Sequence, residues 1–111
     1  SLISKDLIFH YFTPGDLINL YNFSFEKKID LTKMKLEEFL LEIIDNHYYK
    51  KNVLSTNLIF AFLQMYFIKK INNLDNYLVY TKFVNSIDDI KRFNLDIESL
   101  FIQLRYQIIN D

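Results

Sequence analysis

The side chains with the most chemical range are two histidines, His10 and His47, 37 positions apart. A helical metal site needs a second histidine four residues away, or a Glu-x-x-His pair, so that two ligands share one face. Neither histidine has such a neighbour, and both read as structural or surface residues. Carboxylates cluster at Glu37, Glu38, Glu42 and Asp45 and again at Asp88-Asp89. Glu38 and Glu42 would be neighbours on a helix, which is a geometry for acid–base work. They lie opposite the apolar stripe of their segment, however, where water keeps carboxylates near ordinary acidity. We therefore read them as a solvated face. A single glycine, Gly15, cannot build a phosphate cradle, and no G-x-S-x-G elbow supports a serine nucleophile. With no cysteine there is no thiolate nucleophile, disulfide or Cys-based zinc site. The expectation is a domain without catalytic residues, metal or cofactor, and so not an enzyme.

Lysines pair at Lys27-Lys28, Lys50-Lys51 and Lys69-Lys70, with Tyr48, Tyr49 and Tyr66 close by. Basic pairs beside aromatic rings could hold phosphates and stack on bases. The pairs fall at helix ends, where lysine complements the macrodipole, and a net charge of −1 is no basic footprint.

Six helical segments would position these groups. Leu2, Ile3, Leu7, Ile8 and Phe12 repeat at helical spacing. Thr13 then caps a second segment with Pro14 at its first position, carrying Leu17, Ile18, Leu20 and Tyr21 and fraying near Phe23 to Lys28. The strongest stripe is Leu36, Phe39, Leu40, Ile43, Ile44 and His47, entered after Asp30 and Thr32. Ser55-Thr56-Asn57 offers a cap for Leu58 to Ile71, which is apolar on nearly every side and so belongs at the centre of a bundle. A pair of buried strands is the rival for that segment, and the lack of an internal turn argues against it. Asn72-Asn73 caps a fifth helix with Leu74, Tyr77, Leu78, Val84, Ile87 and Ile90 inward. Asn94 breaks it and caps the last, whose inner stripe is Ile97, Leu100, Phe101, Leu104 and Ile108.

The 111 residues, half of them hydrophobic, fit a single all-α domain over residues 1–111, a compact bundle of five to six helices. Leu, Ile, Asn and Lys number 16, 15, 11 and 11, against one Ala and two Arg, the residue usage of an AT-rich genome. The longest apolar run, Leu58 to Ile68, falls short of the roughly 20 residues a membrane span needs. No signal peptide opens the chain, and we expect a cytoplasmic protein. Because the first residue is Ser1, we also expect it to be one piece of a longer protein. Tyr48, Tyr49, Tyr80, Phe83, Phe93 and Tyr106 exceed what so small an interior should hold, so some of them face a partner or reflect codon pressure.

The last third adds a resemblance. A helix bearing Leu74, Leu78, Val84, Ile87, Asp88 and Lys91 breaks at Phe93-Asn94 and is followed by Asn-Leu-Asp-Ile-Glu-Ser-Leu-Phe-Ile-Gln-Leu-Arg over Asn94 to Arg105. With the Pro14-Gly15-Asp16 entry, the Leu36–His47 helix, the joint at Tyr48–Asn57 and the buried helix after it, this resembles the collar domain of delta-prime subunits of the bacterial DNA polymerase III clamp loader, over about Leu7 to Ile109. The resemblance implies a non-catalytic role in DNA replication: collar domains pack side by side and hold together the modules that load the sliding clamp. The implied partners are the delta and tau/gamma subunits, with DNA reached only indirectly. The candidate interface is Tyr80, Phe83, Phe93, Phe101, Arg105 and Tyr106. No Walker motif or zinc-binding cysteine cluster is present, so nucleotide and metal binding are not implied here. The alternatives are a helical adaptor or host-interaction domain of the Bcl-2 kind, with a groove around its central helix, and a small nucleic-acid-binding domain.

Overall fold

The computed structural model describes residues 3–8, 12–50 and 54–110. They form five α-helices, α1 (Pro14–Lys27), α2 (Leu36–Asp45), α3 (Thr56–Lys70), α4 (Leu74–Phe93) and α5 (Glu98–Ile109), preceded by a 3₁₀ turn at Lys5–Leu7. There is no strand among the described residues, so the all-α expectation holds and the strand reading of the Leu58 segment falls. The chain divides into two compact units, Ser1–Phe62 and Leu63–Asp111, with the boundary inside α3.

In the first unit, α1 starts as its sequence dictates. Thr13 Oγ1 accepts from the Asp16 N–H at 3.0 Å, Asp16 Oδ2 accepts from the Thr13 N–H at 3.1 Å, and Pro14 occupies the first turn. This reciprocal box satisfies two otherwise orphaned donors. The helix does not fray near Phe23 but runs on to Lys27, because Phe23 is a core residue that meets Phe39 and Tyr48 edge to face at 6.1 and 5.2 Å. Phe39 in turn meets Phe62 of α3 at 5.1 Å. Offset and edge contacts of this kind suit the ring quadrupole and add to the burial of the rings.

The opening segment is not the α-helix its spacing predicts. Ser4 and Ile8 flank a single 3₁₀ turn. The reason is long-range: the Ser4 N–H donates to the Leu31 carbonyl at 2.7 Å, and Asp6 Oδ2 accepts from the Leu36 N–H at 2.6 Å. Asp6 thus supplies a carboxylate to the first residue of α2, where the helix dipole favours negative charge. Asp30 folds back instead onto the Thr32 N–H and hydroxyl, at 2.9 and 2.7 Å, and does not cap α2.

The helix ends reflect the shortage of glycine. Helices often close with a residue in the left-handed region, a place that suits glycine. Here Lys28, His47 and Asn94 adopt φ of 57°, 56° and 52° instead. After each of them, the next N–H reaches back five residues: Ile29 to the Ser24 carbonyl, Tyr48 to Ile43 and Leu95 to Ile90. The same closing motif therefore ends α1, α2 and α4. It also corrects two expectations. His47 lies in an exposed turn beyond α2, not on its inner stripe, and Asn94 closes α4 without capping α5. Asp96 Oδ1 takes the Glu98 N–H at the start of α5, at 3.0 Å.

In the second unit the buried residues are Leu63, Tyr66 and Phe67 of α3, Phe83 and Ile87 of α4, and Leu100, Phe101, Leu104 and Ile108 of α5. Phe67 and Phe83 stack at 4.4 Å. The inner stripe of α5 is the one the sequence predicts, apart from the half-buried Ile97. That of α4 is not: Leu74, Tyr77 and Leu78 are exposed, Val84 and Ile90 are half-buried, and Phe83 joins Ile87 inside.

Because an L-residue in the left-handed region costs roughly 1–2 kcal/mol, Lys28→Gly should stabilise the chain by up to about 1 kcal/mol. Urea denaturation followed by circular dichroism checks this, and a loss of stability would show that the Lys28 side chain outweighs the backbone term.

Candidate protein-binding surface

Most of the groups with chemical range are placed for structure. His47 stacks on Tyr49 at 5.8 Å, and His10 lies outside the described residues. Glu38 is exposed and its Oε1 accepts from the Lys35 N–H at 3.3 Å, while Glu42 Oε1 accepts from Asn46 Nδ2 at 3.2 Å. Asp30 is a carboxyl whose acidity is clearly shifted. Its pKa is lowered, first by the Thr32 hydroxyl and then by the Thr32 N–H, with a smaller pull from Lys33. A lowered value favours the folded state above the ordinary aspartate range, and that contribution fades as falling pH protonates the carboxyl. The arrangement is a local turn built on Asp30 and Thr32. Among the described residues no three His, Cys, Asp or Glu side chains gather where they could hold a metal.

The lysine pairs are likewise local. Lys27 Nζ lies 3.9 Å from Glu26 and 5.2 Å over the Tyr48 ring, and Lys28 closes α1. Lys70 Nζ lies 5.6 Å over the Tyr66 ring in the last turn of α3. Lys51 lies outside the described residues.

What stands out is apolar surface on the second unit. On α4, Leu74 and Phe83 are nine residues apart, which at about 100° per residue puts them on opposite sides. Phe83 faces the interior and Leu74 is 70% exposed, with Tyr77 and Leu78 beside it. Helix α5 repeats the pattern. Leu100, Phe101, Leu104 and Ile108 are inside, while Ile102, Tyr106 and Ile109 form an i, i+4, i+7 row on the outer side. Ile102 is 64% exposed and Tyr106 70%. Each helix thus carries two apolar faces where folding needs one.

The six candidate interface residues divide accordingly. Phe93, Arg105 and Tyr106 are exposed and Tyr80 is half-buried. Phe83 is buried against Phe67, and Phe101 is fully buried, so its ring is spent on the interior and unavailable to a partner. Phe83 and Tyr106 come together: both line an open groove of about 440 Å³ between α4 and α5, with Val79, Lys82, Ser86 and Ile102. The sequence reading missed Leu74, Leu78, Lys82 and Ile102. A signal existed for Ile102, which falls between Phe101 and Leu104 but off the helical period of the α5 stripe, but none separated the two stripes of α4.

No helix among the described residues is long and apolar enough to cross a membrane. Compared with known proteins, the chain matches no family model, no curated protein and no solved structure.

The division between inner and outer aromatics is measurable. Phe101→Ala should cost about 3–5 kcal/mol of unfolding free energy, and Phe93→Ala should stay within about 0.5 kcal/mol of the parent. Equal costs in denaturant titrations would show that exposure does not separate the two roles.

Proposed function

We propose that this chain is a non-catalytic assembly domain, of the kind found in the collar of a clamp-loader delta-prime subunit, that packs beside neighbouring subunits during DNA replication. One observation carries the assembly part: α4 and α5 each hold a second apolar row, Leu74 and Leu78 on one and Ile102 and Tyr106 on the other, that the chain's own interior leaves uncovered. Exposed apolar rows of this kind cost solubility and mark places where another protein docks. The collar part rests on the resemblance of the Leu74–Arg105 helix-break-helix sequence and of the helix order before it. Delta and tau/gamma collar domains are the partners it implies, and contact with DNA would be indirect.

Mixing the chain with delta and tau/gamma collar domains and measuring mass by size-exclusion chromatography with light scattering tests the reading. A complex that forms with the parent and is lost with Leu78→Glu supports it. No complex at tens of micromolar, or one indifferent to Leu78→Glu, overturns it.

A further inference from the structure

The groove between α4 and α5 goes beyond the collar reading and does not depend on it. The two helices are joined by Asn94 to Ile97, and both line the groove, α4 with Val79, Lys82, Phe83 and Ser86 and α5 with Ile102, Gln103, Tyr106 and Gln107. Val79, Phe83 and Ser86 follow one another at i, i+4, i+7 along α4, and Ile102 and Tyr106 at i, i+4 along α5. Phe83 is held by its stack on Phe67, and Ile102 and Tyr106 are exposed. The span from Val79 to Ser86 is about 10 Å, two helical turns. Its volume of about 440 Å³ accommodates two large apolar side chains.

Charge narrows the occupant. Lys82 is the single charged side chain that lines the groove. Its ammonium group has no ion pair among the described residues, although its carbonyl accepts from the Ser86 hydroxyl at 3.0 Å. A free cation beside an apolar trough is complementary to a carboxylate that sits next to an apolar stripe. The backbone narrows it further. With no strand among the described residues there is no sheet edge to pair with an extended peptide, whereas a helix brings its own hydrogen bonds and presents anchors at i, i+3 and i+4. We propose that the α4–α5 groove docks an acidic amphipathic helix of a partner protein, with two apolar anchors seated over Phe83 between Ile102 and Tyr106 and a carboxylate paired with Lys82.

The test uses the full chain and two fluorescent 14-residue helical peptides that share a Leu stripe at i, i+3, i+4 and i+7. One carries Glu beside the stripe and the other carries Lys at the same places. The Glu peptide should bind about five- to tenfold more tightly, and Lys82→Glu should reverse the order. Amide shifts in ¹H–¹⁵N spectra should centre on Val79, Phe83, Ile102 and Tyr106, and Ile102→Glu, an exposed change that leaves the spectrum of the folded chain intact, should abolish binding. Equal affinity for the two peptides, no binding of either, shifts centred on Leu74 and Leu78, or self-association of the chain through this groove would each overturn the proposal. Peptide binding without a complex with collar domains would overturn only the collar reading, and the reverse result only this one.

Discussion

A fifteen-residue helix with apolar side chains on nearly every side cannot stand in water, and the rest of this chain is arranged around that constraint. Of α3, Leu58, Ile59, Phe60, Phe62, Leu63, Tyr66 and Phe67 are all buried, and Ile68 alone among its large hydrophobics is turned well out to solvent. Its first half belongs to the unit built with α1 and α2, its second half to the unit built with α4 and α5. The aromatic chain Phe23–Phe39–Phe62 organises the one, and the Phe67–Phe83 stack the other. Covering such a helix takes apolar faces from several neighbours, which is why so short a sequence is so rich in Leu, Ile and Phe.

That demand is met with surface left over. The stripe Leu100, Phe101, Leu104 and Ile108 is what α5 needs to fold, and Ile102, Tyr106 and Ile109 are additional. The first turns of α4 are similar. Codon pressure toward Ile, Phe and Tyr would scatter such residues over the surface, whereas here they fall at helical spacing along each helix, and Ile102 and Tyr106 line a groove beside Lys82, which has no ion pair among the described residues. Organisation of this kind is what separates a binding surface from compositional noise.

Much of this was legible in the sequence, where the cause was local. Thr13-Pro14-Gly15-Asp16 announces the start of α1, and the Leu36 to Ile44 stripe announces α2, because capping and period act within a few residues. The failures trace to causes that are not local. Leu2, Ile3, Leu7 and Ile8 have helical spacing, but Ser4 and Asp6 are engaged by Leu31 and Leu36 far along the chain. His47 continues the period of α2 past its end, because the closing motif there uses histidine in place of the glycine that would have marked it. In α4 two apolar stripes compete, and only packing decides that Phe83 and Ile87 go inside while Leu74 and Leu78 do not. Phe101 stood both on the predicted inner stripe of α5 and among the interface residues that the resemblance implies, and its ring is part of the interior.

The account stands on the outer faces of α4 and α5 being dispensable for folding. Its most direct test is the unfolding free energy of the chain carrying Leu74→Gln, Leu78→Gln, Ile102→Gln and Tyr106→Gln together, measured by urea denaturation. The account predicts a value within about 2 kcal/mol of the parent, the sum of four surface changes of about 0.5 kcal/mol each, with an unchanged helical spectrum. A loss of helical structure, or of about 5 kcal/mol or more, would mean that these residues hold the fold together, and would contradict it.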